Sequence, residues 1–281
     1  SQAGINPTLN VFLFTLVVLD TMLIAACGNI VNDIFDEEND AINHKTKAGY
    51  ERQKAINWFF LLFVCTVAVA FFVAHEINQT KLSSISIIAI ALLVIYSKTL
   101  QKLPLIGNFL ISVFVAFVPG IIWFAEKDSY NQLSESSSHT YERLTILLGA
   151  YMVFGFTANM FREIIKDIED VKGDTLSNYK TIAVSWGVQR SKVVALFYGI
   201  FLLILELLWA IFNPLGQPIF ELILFFILVI MPCIIAINYA YKARSILNFR
   251  KTSKAIKIVM ALGLIYLVII QTYVLFDSFF Y

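Results

Sequence analysis

Residues 9–31 read LNVFLFTLVVLDTMLIAACGNIV, and the next nine residues, 32–40, read NDIFDEEND. An apolar run of this length is what an α-helix needs to cross about 30 Å of hydrocarbon. The run contains a single acidic side chain, Asp20, whereas the nine residues after it contain five. This stretch therefore predicts a membrane-spanning helix that leads into an acidic segment.

The rest of the chain contains further apolar runs like the one at 9–31. The 281 residues are 59% hydrophobic and only 15% charged, which is more apolar side chain than a soluble core of this size can bury. The alternation typical of β-barrels is absent, so the spans are expected to be helical. The sequence predicts an all-α polytopic membrane bundle with eight transmembrane helices, at about 9–31, 57–74, 83–97, 105–125, 144–163, 192–212, 218–240 and 257–279.

The Lys and Arg residues are divided unevenly between the two sets of connections. Of the 21 basic residues, 18 lie at one end of the predicted helices, in or beside residues 32–56, 98–102, 162–192 and 241–257. Cytoplasmic loops carry an excess of Lys and Arg, so these four stretches are predicted to be cytoplasmic. The net charge of +1 argues against a nucleic-acid role, because duplex binding needs an excess of clustered basic residues rather than an even balance of charge.

The chain is predicted to form a single transmembrane domain over residues 1–281. An even number of spans would place both ends on the outer side. Because the sequence begins at Ser1 without an initiator Met or signal-peptide pattern, we expect a preceding helix to be missing from it. The polar stretch 126–143 is expected to be an outer loop. Cys27, Cys65 and Cys233 lie in apolar runs and are expected to be small buried hydrophobic residues.

An internal pseudo-repeat carries the chemistry. Residues 32–40 read NDIFDEEND and residues 166–174 read KDIEDVKGD, and both contain Asp-x-x-Asp-x-x-x-Asp where an apolar helix reaches the basic side. Positions i, i+3 and i+7 of a helix share one face, so each triplet is expected to project three carboxylates in one direction. The two triplets are Asp33, Asp36 and Asp40, and Asp167, Asp170 and Asp174.

Clustered carboxylates beside a bilayer repel one another unless cations bind between them. Carboxylate oxygen is the ligand that Mg²⁺ prefers, and Mg²⁺ commonly completes its coordination with substrate phosphates. Solvated helix caps would explain one such aspartate, but they do not require two triplets with the same spacing on the same side. The triplets therefore predict a magnesium and diphosphate site.

Basic side chains near the triplets could offset the charge of a diphosphate and stabilise it as a leaving group. Arg162 and Lys166 precede the second triplet. The other candidates lie in cytoplasmic stretches, where basic residues also serve topology alone. They are Lys45, Lys47, Lys98, Lys102 and Lys180.

Four segments together resemble the UbiA superfamily of intramembrane prenyltransferases: NDIFDEEND with INHKTK after it, YSKTLQKLPLIGN at 96–108, and REIIKDIEDVKGD at 162–174. The last segment is most similar to the archaeal-type digeranylgeranylglyceryl phosphate synthases. The resemblance implies nine helices around a central cavity, of which the eight spans would be helices two to nine. It also implies that both Asp-rich motifs hold Mg²⁺, expected as two ions, on a prenyl diphosphate.

The resemblance assigns roles only where this chain matches the family motifs. Asn32 stands in the first motif beside its aspartates, and Tyr96 and Lys98 match a short segment that approaches the diphosphate. After the first motif the family usually reads Asn-Lys-Pro-x-Arg-Pro. This chain reads NHKTKA at 43–48, which lacks both prolines and has Lys47 at the arginine position.

The predicted activity is Mg²⁺-dependent transfer of a prenyl group, expected to be geranylgeranyl, from its diphosphate to a lipid acceptor. A prenylglyceryl phosphate is the expected acceptor, and an aromatic acceptor of quinone biosynthesis is the alternative. The protein would be integral to a prokaryotic inner membrane, with its Asp-rich motifs on the cytoplasmic side. Its partners would be these substrates and membrane lipids, with no obligate protein partner.

Two other classes of protein could carry intramembrane or clustered carboxylates. An ion-coupled transporter could use the intramembrane carboxylates Asp20 and Glu206, but carriers bind near the midplane, whereas the aspartate triplets lie at helix ends. Asp20 and Glu206 are therefore expected to be hydrogen-bonded inside the bundle. A non-catalytic lipid-binding scaffold would not need two metal-binding motifs.

Overall fold

The protein is an all-α membrane bundle in the computed structural model, which describes residues 7–43, 50–212 and 216–280. No β-strand occurs within these ranges. The helices are α1 (Val11–Phe35), α2 (Glu37–Ile42), α3 (Arg52–Glu76), α4 (Lys81–Lys98), α5 (Ile106–Ala125), α6 (Lys127–Ser136), α7 (Ser138–Leu176), α8 (Ile182–Trp186), α9 (Val188–Phe212), α10 (Ile219–Phe225), α11 (Met231–Lys242) and α12 (Ile246–Phe280).

Eight segments of the described chain are long and apolar enough to cross a membrane, as predicted. They are α1, α3, α4 with the 3₁₀ turn Leu100–Lys102, α5, α7, α9, the pair α10 and α11, and α12. A π-helical turn, Phe226–Ile230, joins α10 to α11. The end of the bundle at which α1, α4 and α7 finish is called the Asp-rich end below.

Two helices extend well beyond their predicted spans. α7 continues to Leu176 and α12 begins at Ile246, whereas the apolar runs stop near 163 and start near 257. Hydropathy reports where a helix lies in hydrocarbon, but backbone hydrogen bonding continues into the aqueous interface. The second aspartate triplet and the basic start of α12 therefore both lie on regular helix.

The stretch predicted as an outer loop is largely helical. α6 lies within it and is exposed along most of its length. The carboxylate of Glu126, just before α6, accepts hydrogen bonds from the backbone amides of Thr8 and Leu9, both at 2.9 Å. These bonds attach the start of α1 to the start of α6.

α7 is the central helix of the second half of the bundle. Its Phe161, Ile164 and Ile168 are almost fully buried, and they pack in one cluster with residues of α9, α11 and α12. Small residues of those helices, such as Ala195 and Ala236, allow the backbones to approach closely. α7 is therefore held rigidly where it carries the second triplet.

Many large apolar side chains are exposed on the outer surface of the bundle, as expected for a surface that faces lipid. Cys27 and Cys233 are buried as predicted, but Cys65 is exposed on α3, so its expected burial is wrong. An apolar run predicts immersion in the membrane and does not distinguish the lipid-facing side of a helix from the inner side.

The two intramembrane carboxylates lie inside the bundle. Asp20 on α1 is 4% exposed and accepts a hydrogen bond of 2.7 Å from Ser86 on α4. Glu206 on α9 is 2% exposed beside Cys233 of α11. The expectation of internal hydrogen bonding is confirmed for Asp20.

Candidate active site

The two aspartate triplets meet in one pocket at the Asp-rich end. Asp167, Asp170 and Asp174 all line it from α7, as their spacing predicts. The first triplet differs, because α1 ends at Phe35 and α2 begins at Glu37. Asp36 stands between the two helices and lines the pocket, whereas Asp33 and Asp40 are half-buried outside its lining.

α2 is clamped onto α7 by two asparagines. The side-chain amide of Asn39 donates to Asp174 Oδ1 at 2.8 Å. One turn later, the Asn43 side chain accepts from the backbone amide of Gly173 at 3.1 Å and donates to the carbonyl of Asp170. A Cβ atom at Gly173 would lie 2.0 Å from Asn39 Oδ1, so this close approach requires glycine.

The turn between α4 and α5 forms a second wall. Gln101 Nε2 donates to Asp36 Oδ1 at 2.8 Å, and Asn108 Nδ2 donates to Asp167 Oδ2 at 3.0 Å. A Cβ atom at Gly107 would lie 2.7 Å from the Cα of Gln101. Gly107 therefore lets α5 start directly against the turn, and the two amides reach one aspartate from each motif.

The loop after α7 completes the pocket. Thr181 donates to Asp174 Oδ2 at 2.9 Å, and the Tyr179 hydroxyl lies 3.5 Å from Asp36 Oδ1. The ammonium of Lys102 lies 4.7 Å from the centroid of the Tyr179 ring. Burial, followed by the nearby carboxylates, raises the pKa of Tyr179 above its ordinary value, so its hydroxyl remains a proton donor.

Asp36 is also affected by its surroundings. Burial raises the pKa of its carboxyl to about 6, the positive charge of Lys166 lowers it, and the negative charge of Asp40 raises it. Desolvation therefore outweighs the attraction of the lysine. A cation bound at this carboxylate would favour its ionised form.

The pocket contains far more negative than positive charge. Its lining includes the carboxylates Asp36, Glu163, Asp167, Asp170 and Asp174, and Lys166 is the single basic residue of that lining. Lys166 lies close enough to Glu163, Asp170 and Asp36 to interact with all three electrostatically. The excess of carboxylate oxygen makes the pocket suited to hard divalent cations.

Within the part of the chain whose side chains are described, no group of three or more His, Cys, Asp or Glu residues is arranged to hold a metal ion by itself. Mg²⁺ usually takes one or two carboxylates and completes its shell with water and substrate phosphates. The pocket is partly open to solvent. Its donors therefore fit Mg²⁺ that is shared with a phosphorylated ligand.

The other predicted site residues lie at different distances from the pocket. Tyr96 and Lys166 line it. Asn32 lies just outside and donates to Asp36 Oδ2 at 2.7 Å. Lys98 and Lys180 are exposed.

Two sets of predicted basic residues remain. Arg162 pairs with the pocket residue Glu163 and is not itself in the lining. Lys45 and Lys47 lie outside the described residues.

Several pocket residues were not predicted from the sequence. They are polar but uncharged, apart from Glu163: Asn39, Gln101, Asn108, Glu163, Tyr179 and Thr181. A signal existed for Asn108, because a polar side chain near the start of an apolar span needs a hydrogen-bond partner. Asn39 and Glu163 lie within the two Asp-rich segments quoted above. For Gln101, Tyr179 and Thr181, nothing in the local pattern distinguishes a pocket residue from an ordinary loop residue.

A bundle of eight apolar spans, with a carboxylate-rich pocket formed by two Asp-rich segments at one end, defines a polytopic membrane protein with a polar pocket at the end of its spans. The sequence profile of the UbiA prenyltransferase family matches residues 1–260. The chain belongs to this family.

Several curated relatives carry the name digeranylgeranylglyceryl phosphate synthase. The one from Methanosarcina mazei is 30% identical over 254 residues, which cover 89% of this chain and 79% of the relative. The one from Korarchaeum cryptofilum is 29% identical, with 88% and 85% covered. The chain spans 61% of the Thermococcus gammatolerans relative, at 29% identity and with 66% of this chain covered. No solved structure gives a significant match.

Proposed function

We propose that this protein transfers a prenyl group, expected to be geranylgeranyl, from its diphosphate to a prenylglyceryl phosphate within the membrane. The observation that carries the proposal is the single pocket in which Asp36 of the first motif faces the three aspartates of the second, with Lys166 among them. Family membership supplies the reaction class. The relatives' name supplies the acceptor.

We propose Mg²⁺, as two ions, at the carboxylates of the two triplets. All six aspartates remain candidates, and Asp36, Asp167, Asp170 and Asp174 are the ones that line the pocket. When bound, the metal would supply positive charge to the departing diphosphate.

The chain's own residues would bind the diphosphate and orient the carboxylates. Lys166 is placed to donate to a diphosphate oxygen. Gln101, Asn108 and Asn39 each hold an aspartate in one direction through a hydrogen bond. Preorganised groups of this kind need no rearrangement as charge develops on the leaving group.

In the reaction, the bond between the allylic carbon and the diphosphate oxygen breaks, and the acceptor hydroxyl oxygen forms a bond to that carbon. The hydroxyl proton passes to a carboxylate of the pocket. The developing carbocation must be kept from water, which a cavity within the membrane favours. We propose that the Asp-rich end faces the cytoplasm of a prokaryotic cell. The diphosphate of the donor and the phosphate of the acceptor would both be hydrated there.

The activity is tested by incubating the purified protein with geranylgeranyl diphosphate, Mg²⁺ and a prenylglyceryl phosphate, and identifying the products by mass spectrometry. We expect a diether product and released diphosphate, both abolished by a chelator and restored by added Mg²⁺. Absence of Mg²⁺-dependent diphosphate release would refute the enzyme assignment. Transfer to an aromatic acceptor in place of the glyceryl phosphate would refute the acceptor assignment.

The roles of the two motifs are tested by Asp36→Asn and Asp170→Asn, which keep side-chain size and remove the charge. Each is expected to lower kcat by roughly 10²–10³-fold, since preorganised charge stabilisation is commonly of that magnitude. Asp128→Asn, an exposed change on α6 at the opposite end, is the matched control and should retain full activity. Near-normal turnover of either pocket variant would show that the motifs do not act together.

A further inference from the structure

A row of basic side chains begins α12 beside the pocket. Arg250, Lys254 and Lys257 are spaced at i, i+4 and i+7 and share one face of the helix. Lys254 and Lys257 are exposed, and Arg250 is partly exposed. These three residues are called the basic strip below.

The basic strip runs along α7. Its first residue, Arg250, donates from Nε to Glu169 Oε1 of α7 at 3.0 Å. Its last residue, Lys257, interacts electrostatically with Arg162, Lys166 and Glu163 of α7. Because Lys166 and Glu163 line the pocket, the last residue of the strip lies within electrostatic range of the pocket lining.

Among the residues that the structure describes, basic groups outnumber the acidic groups that pair with them on this surface. The strip and Arg162 together carry four basic groups, and the acidic partners beside them on α7 are Glu163 and Glu169. Glu163 also interacts with Lys166 inside the pocket. Neighbouring like charges raise the free energy of the surface, and an anion bound between them lowers it.

Donors on this surface are also left without acceptors. The Nε of Arg162 is buried and has no hydrogen-bond partner. Within the described part of the chain, neither Lys254 nor Lys257 forms a hydrogen bond or a close ion pair. Buried guanidinium donors are normally satisfied, so the arrangement is suited to a ligand with several negative oxygens.

We propose that the basic strip, with Arg162, binds the phosphate monoester of the acceptor lipid and so selects a phosphorylated acceptor over a neutral one. The proposal rests on the proposed prenyl transfer. A phosphate monoester carries about −1.5 to −2 charges at pH 7, which matches the unbalanced charge of this surface. The pocket itself, with five carboxylates and one lysine, would repel a second phosphate that brought no metal.

The position of the strip also fits the geometry of such an acceptor. In a prenylglyceryl phosphate only a few atoms separate the free hydroxyl from the phosphate. A phosphate held beside Lys257 would therefore place the hydroxyl at the margin of the pocket, where the diphosphate leaves the allylic carbon. An aromatic acceptor without a phosphate would gain nothing from the strip.

The test compares Lys254→Gln/Lys257→Gln with the wild-type protein in neutral detergent micelles. We expect the KM for geranylgeranylglyceryl phosphate to rise by about 10- to 100-fold, since loss of charge-assisted hydrogen bonds to a phosphate has effects of this size. The KM for geranylgeranyl diphosphate should stay unchanged, as should the rate with the dephosphorylated acceptor. A second variant, Lys257→Arg, keeps the positive charge and should retain most of the affinity for the acceptor.

Lys127→Gln is the control, because this lysine is exposed on α6 at the opposite end of the bundle. It should leave both KM values unchanged. Equal effects of the control and the double variant would overturn the proposal. So would an equal rise in the KM for the prenyl diphosphate, which would assign the strip to the diphosphate.

The phosphate could instead belong to bulk anionic lipid. In that case the double variant would differ from wild type only in vesicles containing phosphatidylglycerol and not in neutral micelles, which would overturn the proposal. Binding of geranylgeranylglyceryl phosphate can be measured directly as thermal stabilisation of the purified protein. This measurement tests the strip independently of the proposed prenyl transfer. Binding that the double variant loses would support the strip even if no transfer occurred; equal binding by both proteins would refute it.

Discussion

At the residue scale, neutral donors orient three of the pocket carboxylates, those of Asp36, Asp167 and Asp174. Asp36 accepts from Asn32 and Gln101, and Asp167 accepts from Asn108. A neutral donor fixes the direction of a carboxylate without cancelling its charge, so the site remains attractive to divalent cations. Supporting hydrogen bonds of this kind commonly set metal affinity.

Asn108→Ala tests this supporting role. Loss of the 3.0 Å hydrogen bond to Asp167 should lower kcat or the apparent Mg²⁺ affinity by about 10- to 100-fold. The measurement is a titration of initial rate against Mg²⁺ concentration. Asn131→Ala, an exposed change on α6, serves as the control, and an Asn108→Ala protein with an unchanged Mg²⁺ titration would contradict the argument.

At the element scale, the active site depends on the short helix α2 staying attached to α7. α2 has only six residues, too few for a helix to be stable in isolation. Its attachment comes from Asn39 and Asn43, whose bonds reach Asp174, Asp170 and Gly173. The break at Asp36 lets α2 turn onto α7, which a straight continuation of α1 would not do.

Gly173→Ala should separate the two helices. The added Cβ would lie 2.0 Å from Asn39 Oδ1 and 2.2 Å from Asn43 Nδ2, so both side chains would have to leave their hydrogen bonds. Activity should fall by about 10-fold or more, since each lost buried hydrogen bond costs roughly 1–3 kcal/mol. Hydrogen exchange of α2 amides, followed by mass spectrometry, should become faster.

α7 itself supplies the control for this experiment. A Cβ atom at Gly149 would meet nothing within 4 Å, and alanine is favoured over glycine inside a helix by about 1 kcal/mol. Gly149→Ala should therefore keep full activity and equal or higher thermal stability. If Gly173→Ala behaved in the same way, α2 would not be needed at the site.

At the scale of the whole molecule, the charge distribution predicts the orientation in the membrane. Ser185 is exposed in the connection between α7 and α9 at the Asp-rich end, and Ser134 is exposed on α6 at the opposite end. In a Cys65→Ala background, an impermeant maleimide applied to intact cells should label Ser134→Cys. Ser185→Cys should react only after the membrane is permeabilised. The opposite labelling pattern would reverse the proposed sidedness.

Mg²⁺ and diphosphate together should stabilise the whole protein, whereas diphosphate alone should not. A pocket lined by five carboxylates and one lysine repels diphosphate alone, whereas Mg²⁺ and diphosphate can bind together. Inorganic diphosphate with Mg²⁺ should therefore raise the melting temperature. The free energy of unfolding should rise by about 2.7 kcal/mol when the ligand concentration is 100 times the Kd. Diphosphate with a chelator should not have this effect, and Asp36→Asn/Asp170→Asn should show no rise in either case.

The sequence by itself determined the membrane class, the eight spans and the two aspartate triplets, because hydropathy and charge spacing are local properties of the chain. The break at Asp36 and the lipid-facing position of Cys65 were not readable in this way. The exposure of Cys65 depends on which side of α3 meets a neighbour, and an apolar run is similar on all sides. The break at Asp36 accompanies the packing of α2 on α7.

Only the tertiary structure decided which side chains share the pocket. Asn39 bonds to Asp174 across 135 residues of chain, and Gln101 bonds to Asp36 across 65. Amide side chains are common in loops, and their partners are set by how α2, α5 and α7 pack. The triplets could be found from spacing alone, whereas the residues that orient them could be found only after helix packing had brought distant segments together.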